Sequence, residues 1–260
     1  DRLVTIAVLP MMSCAGRLPI YMMFVSALFP SRLQAPVLFG IYASGVLLAL
    51  CCARLLKNTL FKAPQRDSLH HMKRLRLPSL RKVGILMWSR AFMYVRKAGT
   101  FILGASIILW FLNTYPRPEE NTAPTNAAAM EHSYAGQIGH WMEPVTQVAG
   151  FDWKINSALI GAFAAKEIFV TQMGILYAVE DGNSVPAAQQ TLNARLKASY
   201  TPLQGISIMI FCLIALPCIG TVTVAKREAG TWWFALAQFG GLTLLGFATA
   251  TLIYQAGLLL

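Results

Sequence analysis

The chain alternates long apolar runs with polar stretches, and the longer runs approach the roughly 20 residues that a helix needs to cross a bilayer. The runs are 3–29, 35–56, 99–112, 157–178, 203–221 and 232–258. Pro10, Gly16, Arg17 and Pro19 interrupt the first, which predicts a broken span or a re-entrant piece followed by a short helix. The second reads as an uninterrupted helix. The fourth carries Lys166 and Glu167 near its centre, the fifth is broken at Pro217, and the Trp232-Trp233 pair opens the last at an interface. Between Leu80 and Lys97, Lys82, Arg90 and Lys97 recur at near-helical spacing among Trp88, Phe92 and Tyr94, which predicts an interfacial amphipathic helix leading into the third span. The expected fold is all-α: a polytopic transmembrane helical bundle with Pro-broken or re-entrant helices and one interfacial helix.

Composition agrees with this pattern. Charged residues make up 13% of the 260, hydrophobic residues 56%, and the mean hydropathy is +0.52, too little charge to cover a soluble surface. The net charge of +11 is concentrated: residues 54–97 hold twelve basic residues and one acidic residue, Asp67, a net +11 that accounts for the whole excess. Nucleic acid is therefore not the expected partner; the bilayer is. The positive-inside rule places this loop in the cytoplasm and the acidic loop 113–156 in the periplasm. Counting six crossings then puts the 180–200 connection and the C-terminus inside and Lys226-Arg227-Glu228 outside, unless the break near Pro217 returns them. The organisation expected is a broken segment plus helix over 1–56, a basic loop with its interfacial helix over 57–97, and a C-terminal transmembrane region over 98–260.

Candidate chemistry sits at the interruptions. Pro10 and Pro19 remove backbone donors at membrane depth, and the carbonyls they free must be satisfied by protein, water or a ligand. Met11, Met12 and Cys14 lie among those groups and offer soft donors for a late transition metal; the plainer reading is Met and Cys filling a core beside a kink. The stretch 216–228 repeats the elements, a Leu-Pro step, then Cys218, a Gly and a charged residue beyond, so the two breaks look like discontinuous helices facing one site. Glu167 would bind or relay a cation there. The alternative is a structural ion pair, Glu167 with Arg17 or Lys166 with Glu228. His70 and His71 read as a solvated patch. None of the four histidines has metal-site spacing, the five cysteines show no CxxC, and no phosphate loop, HExxH or GxSxG is present. No catalytic residue and no permanently bound cofactor is expected. A start at Asp1 without a signal-peptide pattern suggests a piece of something longer.

These positions resemble the C-terminal membrane, or Gate, region of the bacterial ferrous iron transport protein B family. The resemblance rests on PMMSCAGRLPIY (10–21), RLPSLRKV (76–83), RKAGTFILGASIILWFL (96–112), GFDWKINSALIGAFAAKEIFV (150–170) and LPCIGTVTVAKREAGTWWFALAQFG (216–240). It implies a multi-pass inner-membrane permease for Fe(II), with cysteines of the path matching Cys14 and Cys218. Met11 or Met12 and Glu167 would assist; Arg17, Lys166 and Glu228 would serve in gating or ion pairs; Pro10, Pro19 and Pro217 would break the helices. Fe(II) would be the transported substrate. The resemblance also implies an N-terminal G domain and earlier spans beyond this chain, so GTP enters only through them. The implied partners are that N-terminal part, a small cytosolic accessory protein and further copies of the chain. Two rival functions remain open: a carrier of a nucleoside-like organic solute, in which the cysteines are dispensable, and a non-transporting membrane scaffold.

Overall fold

The structure is a computed structural model and describes residues 2–59, 79–116, 131–177, 185–215 and 217–259. The solvated patch at His70 and His71, most of the basic loop and Leu216 lie outside these residues. Every regular element among the described residues is helical. In chain order they are α1 (Arg2–Val8), α2 (Leu18–Leu28), α3 (Ser31–Thr59), α4 (Leu80–Thr114), α5 (Tyr134–Thr146), α6 (Trp153–Ala164), α7 (Lys166–Tyr177), α8 (Val185–Ser199), α9 (Pro202–Ile214), α10 (Ile219–Ala229) and α11 (Trp232–Leu259). Among the described residues, four stretches are long and apolar enough to cross a membrane: Leu3–Leu28, Ser31–Thr59, Pro202–Ala229 and Trp232–Leu259.

Two of these spans are interrupted near their middles. Between α1 and α2 the chain passes through short 3-10 turns at Leu9–Met11 and Ala15–Arg17, with Cys14 extended between them. Pro19 stands in the first turn of α2, where its missing N–H costs nothing, so it opens the second half-helix. Between α9 and α10, Ala215 and Cys218 are extended. Each broken span is followed by one uninterrupted helix, α3 or α11, that returns beside it. Gly246 in α11 meets Ala215 at the second break, while Gly45 in α3 meets Leu213 just before it, so each uninterrupted helix approaches that break where a side chain is absent.

The fourth apolar run differs from its expected form. It is not one crossing helix but a hairpin. Ala165 is extended (φ −153°, ψ 134°) and separates α6 from α7, which fold back on each other. Gly161 of α6 lies against Ile168 and Gln172 of α7, and the Gln172 amide donates to Ser157 Oγ at 3.4 Å. Each leg has 12 residues, about 18 Å or half a bilayer core. Its tip, Ala165–Glu167, therefore lies one leg's length inside the end of the bundle at which both legs open.

That end is tied by hydrogen bonds. Tyr200 donates to Asp152 at 2.8 and 3.0 Å, Tyr177 donates to Tyr200 at 3.0 Å, and Asp152 accepts from the Ile155 N–H to cap α6. Residues 152 and 200, expected on opposite sides, are thus neighbours. Leu28 against Gly205 and Leu203 against Gly257 place the α2–α3 turn and the C-terminus at this end as well. Thr59, 28 residues further along α3 than Ser31, stands at the other end. Thr59 of α3 and Gly257 of α11 therefore lie at opposite ends of the bundle.

Two polar stretches also contain helices among their described residues. The 113–156 loop contains α5, which packs through Gly139 on the Trp153 carbonyl, and the 180–200 connection contains α8. The interfacial helix at 80–97 and the third span are one helix, α4, of 35 residues. No Pro lies within it to separate a surface part from a spanning part.

Burial pushes the Asp152 carboxyl above the ordinary carboxylate range, with the Ile155 N–H and the Tyr200 hydroxyl offsetting part of the shift. A raised folded-state value favours the protonated form in the fold. Its contribution to stability is therefore full below the ordinary Asp value and falls as pH rises through the folded value. Thermal unfolding in nanodiscs across mildly acidic to neutral pH should show stability declining with pH in wild type and less so in Asp152→Asn, which keeps an acceptor for Tyr200 and the α6 cap.

Candidate functional site

The three interruptions meet around the hairpin tip. Gly16, in the first break, faces Glu167: a Cβ on Gly16 would lie 2.8 Å from Glu167 Oε1 and 3.8 Å from Lys166 Cβ. Glycine here lets the carboxylate lie against the 3-10 turn. From the same tip, Lys166 reaches the second break and donates to the Cys212 carbonyl at 3.0 Å and the Ala215 carbonyl at 3.2 Å.

The carbonyls released by the breaks are held by side chains from elsewhere. Pro10 has no N–H for the Ile6 carbonyl. Gln238 of α11 supplies the donor instead, reaching Ile6 O at 2.8 Å and Ala7 O at 3.1 Å. The Arg17 guanidinium donates to Pro10 O at 2.7 Å and Met12 O at 3.1 Å while only 2% exposed. Lys166, 6% exposed, does the same for the end of α9. The ion pair expected for Lys166 is thus replaced by carbonyl contacts, which leave a membrane-depth ammonium partnered without a second buried charge.

The soft donors lie on the borders of this cluster. Cys14 is exposed in the N-cap position of the second 3-10 turn, and Cys218, half-buried, is the N-cap residue of α10 with Sγ 3.2 Å from Thr221 Oγ1. Lys166 lies within electrostatic range of Cys14, Cys212 and Cys218 and of the Arg17 guanidinium. Of the methionines, Met11 is packed in the core at 1% exposure, whereas Met12 is exposed. Glu167 is exposed at the start of α7. Glu228 lies in the last turn of α10, away from the break that begins that helix. Among the described residues, no three His, Cys, Asp or Glu side chains form a metal cage. Separated sulfur and carboxylate groups thus border one cluster of side-chain-bound carbonyls.

Sequence reasoning missed four parts of this cluster. Ala165 breaks a helix without Pro or Gly, and the neighbouring Lys166-Glu167 pair was its visible sign. Gln238 is 232 residues from the carbonyl it serves. Cys212 is fully buried and faces Lys166 and Arg17. Gly246 is marked only by its contact with Ala215. A Cβ there would sit 2.7 Å from Ala215 Cβ and 3.0 Å from its backbone nitrogen, which cannot swing aside. Gly246→Val should cost roughly 1–3 kcal/mol by overpacking, measurable as a lower unfolding temperature in nanodiscs.

Long apolar helices, two of them interrupted around a shared polar cluster, define a multi-pass helical membrane protein. Comparison with known proteins narrows the class. Residues 95–232 match the Gate family, described as nucleoside recognition, and residues 38–90 match the ferrous iron transport protein B C terminus. The Fe(2+) transporter FeoB of Campylobacter jejuni is 37% identical over 92% of this chain and 39% of its own length. The Fe(2+) transport protein A/Fe(2+) transporter FeoB fusion protein of Porphyromonas gingivalis is 34% identical over 100% and 35%, and the Staphylococcus aureus Fe(2+) transporter FeoB is 32% identical over 99% and 37%. The chain thus belongs to the FeoB family and carries its Gate and C-terminal membrane regions. It spans about two fifths of the length of these relatives. No solved structure matches it.

Proposed function

We propose that the chain supplies the permease part of an Fe(II) uptake system and that the ion passes the hairpin tip. Family membership supports the substrate. The single structural observation that carries the path is the convergence of three interrupted segments on Lys166 and Glu167, with Cys14 and Cys218 at the ends of two of them. Thiol sulfur from Cys14 and Cys218, carboxylate oxygen from Glu167 and the half-helix carbonyls form a mixed donor set suited to a borderline divalent ion. Met12 adds a thioether from the exposed side of the first break. Arg17, Lys166 and Gln238 hold the backbone open around the path. A nucleoside-like solute would leave both cysteines without a role, so their placement at the breaks favours the metal.

The basic 54–97 loop faces the cytoplasm under the positive-inside rule. Lys226 and Arg227, on the same end as α1, then also face the cytoplasm, and the C-terminus faces the periplasm. GTP-dependent energy coupling belongs to a part of the transport protein outside these 260 residues. Anaerobic Fe(II) uptake into vesicles tests the proposal, with this chain alone and together with the remaining portion of the longer relatives. Iron entry in the combined arrangement is expected. No entry in either arrangement would overturn the permease reading in favour of a scaffold.

A further inference from the structure

We infer that the Lys166 ammonium is a resident cation that occupies the cation position of this path and exchanges with the transported ion. The inference rests on the permease reading above and assigns a specific occupant to its centre. A half-helix C-terminus with freed carbonyls is where discontinuous-helix transporters hold a cation, because the carbonyl dipoles there carry partial negative charge. At the end of α9 that place is filled by Lys166 Nζ, on the Cys212 carbonyl at 3.0 Å and the Ala215 carbonyl at 3.2 Å. The thiols of Cys212, Cys14 and Cys218 lie within electrostatic range of it. The other nearby buried charge is the Arg17 guanidinium, also positive and also committed to carbonyls. A divalent ion drawn to the same carbonyls and sulfurs meets an ammonium already there.

Exchange moves more than one side chain. Lys166 is the first residue of α7, directly after the extended Ala165, and Glu167 beside it rests on Gly16. Withdrawal of the ammonium from α9 therefore pulls on the hairpin tip and on the first break together. An arriving ion would free the tip, and its departure would let the ammonium return. This links occupancy to the position of the hairpin without a separate gate residue, and it keeps other cations out while the path is empty.

Cd(II), a soft divalent probe, tests this on the 260-residue chain in nanodiscs. Two readouts are followed together: protection of Cys218 from a maleimide, and acetylation of Lys166 by an amine reagent, both by mass spectrometry. Cd(II) is expected to protect Cys218 and, over the same concentrations, to raise Lys166 acetylation several-fold from its buried baseline. Lys166→Met and Lys166→Gln, which remove the charge, are expected to bring half-protection at Cd(II) concentrations at least about tenfold lower, equivalent to about 1.4 kcal/mol. If Lys166→Met does not elute as a single species, Lys166→Gln, which keeps an amide donor for the carbonyls, decides. Protection of Cys218 with unchanged Lys166 acetylation, and no gain in the neutral variants, overturns the exchange while leaving the path intact. Absence of protection in every form removes the path itself.

Discussion

Serine at Cys14 or at Cys218 is expected to lower anaerobic Fe(II) entry roughly tenfold or more in the assembled transporter, with little change in folding. The effect follows from exchanging a soft sulfur donor for a hard hydroxyl in a mixed site that has few ligands to spare. Position explains why folding should tolerate it. Cys14 is exposed, and the Cys218 Sγ hydrogen bond with Thr221 Oγ1 is one that serine can replace. The same exchange at Cys51, exposed on α3, should leave iron entry unchanged. Equal loss at Cys51 and Cys14 would point to general damage, and no loss at either break would remove sulfur from the path.

Arg17→Met is expected to be among the most destabilising single changes in the chain, at about 2–5 kcal/mol. The methionine fills much of the volume, so the loss isolates the two charge-assisted hydrogen bonds to Pro10 and Met12. The bond to the Pro10 carbonyl is buried, and an unpaired acceptor there carries its full desolvation cost. Thermal unfolding in nanodiscs reads the change directly. A loss below about 1 kcal/mol, the size of an ordinary surface ion pair, would mean that the first break holds its shape without the guanidinium.

The two breaks at Pro10 and Pro217 were legible because proline writes a missing donor into the sequence. The hairpin was not. Residues 157–178 have the length and hydropathy of a crossing helix, and Ala165 has no intrinsic reason to leave the α region. The fold-back depends on contacts made elsewhere: Lys166 reaching α9, Gln172 reaching Ser157, and Gly161 allowing the legs to touch. One unseen hairpin stands where the hydropathy reads a single crossing helix. The charged pair at the tip was the recoverable clue, since Lys166 and Glu167 have no place at the centre of a lipid-facing helix. Gln238 illustrates a different limit. Its role depends on which helix lies beside Ile6, and hydropathy along α11 carries no record of that.

Iron-edge X-ray absorption on the Fe(II)-loaded, oxygen-free chain in nanodiscs tests most directly whether the two proline breaks share one ion path. The expected result is sulfur scattering in the first shell of the iron, reduced in Cys14→Ser and in Cys218→Ser and absent when both are replaced. A shell of oxygen and nitrogen alone, unchanged by either substitution, would contradict the shared path.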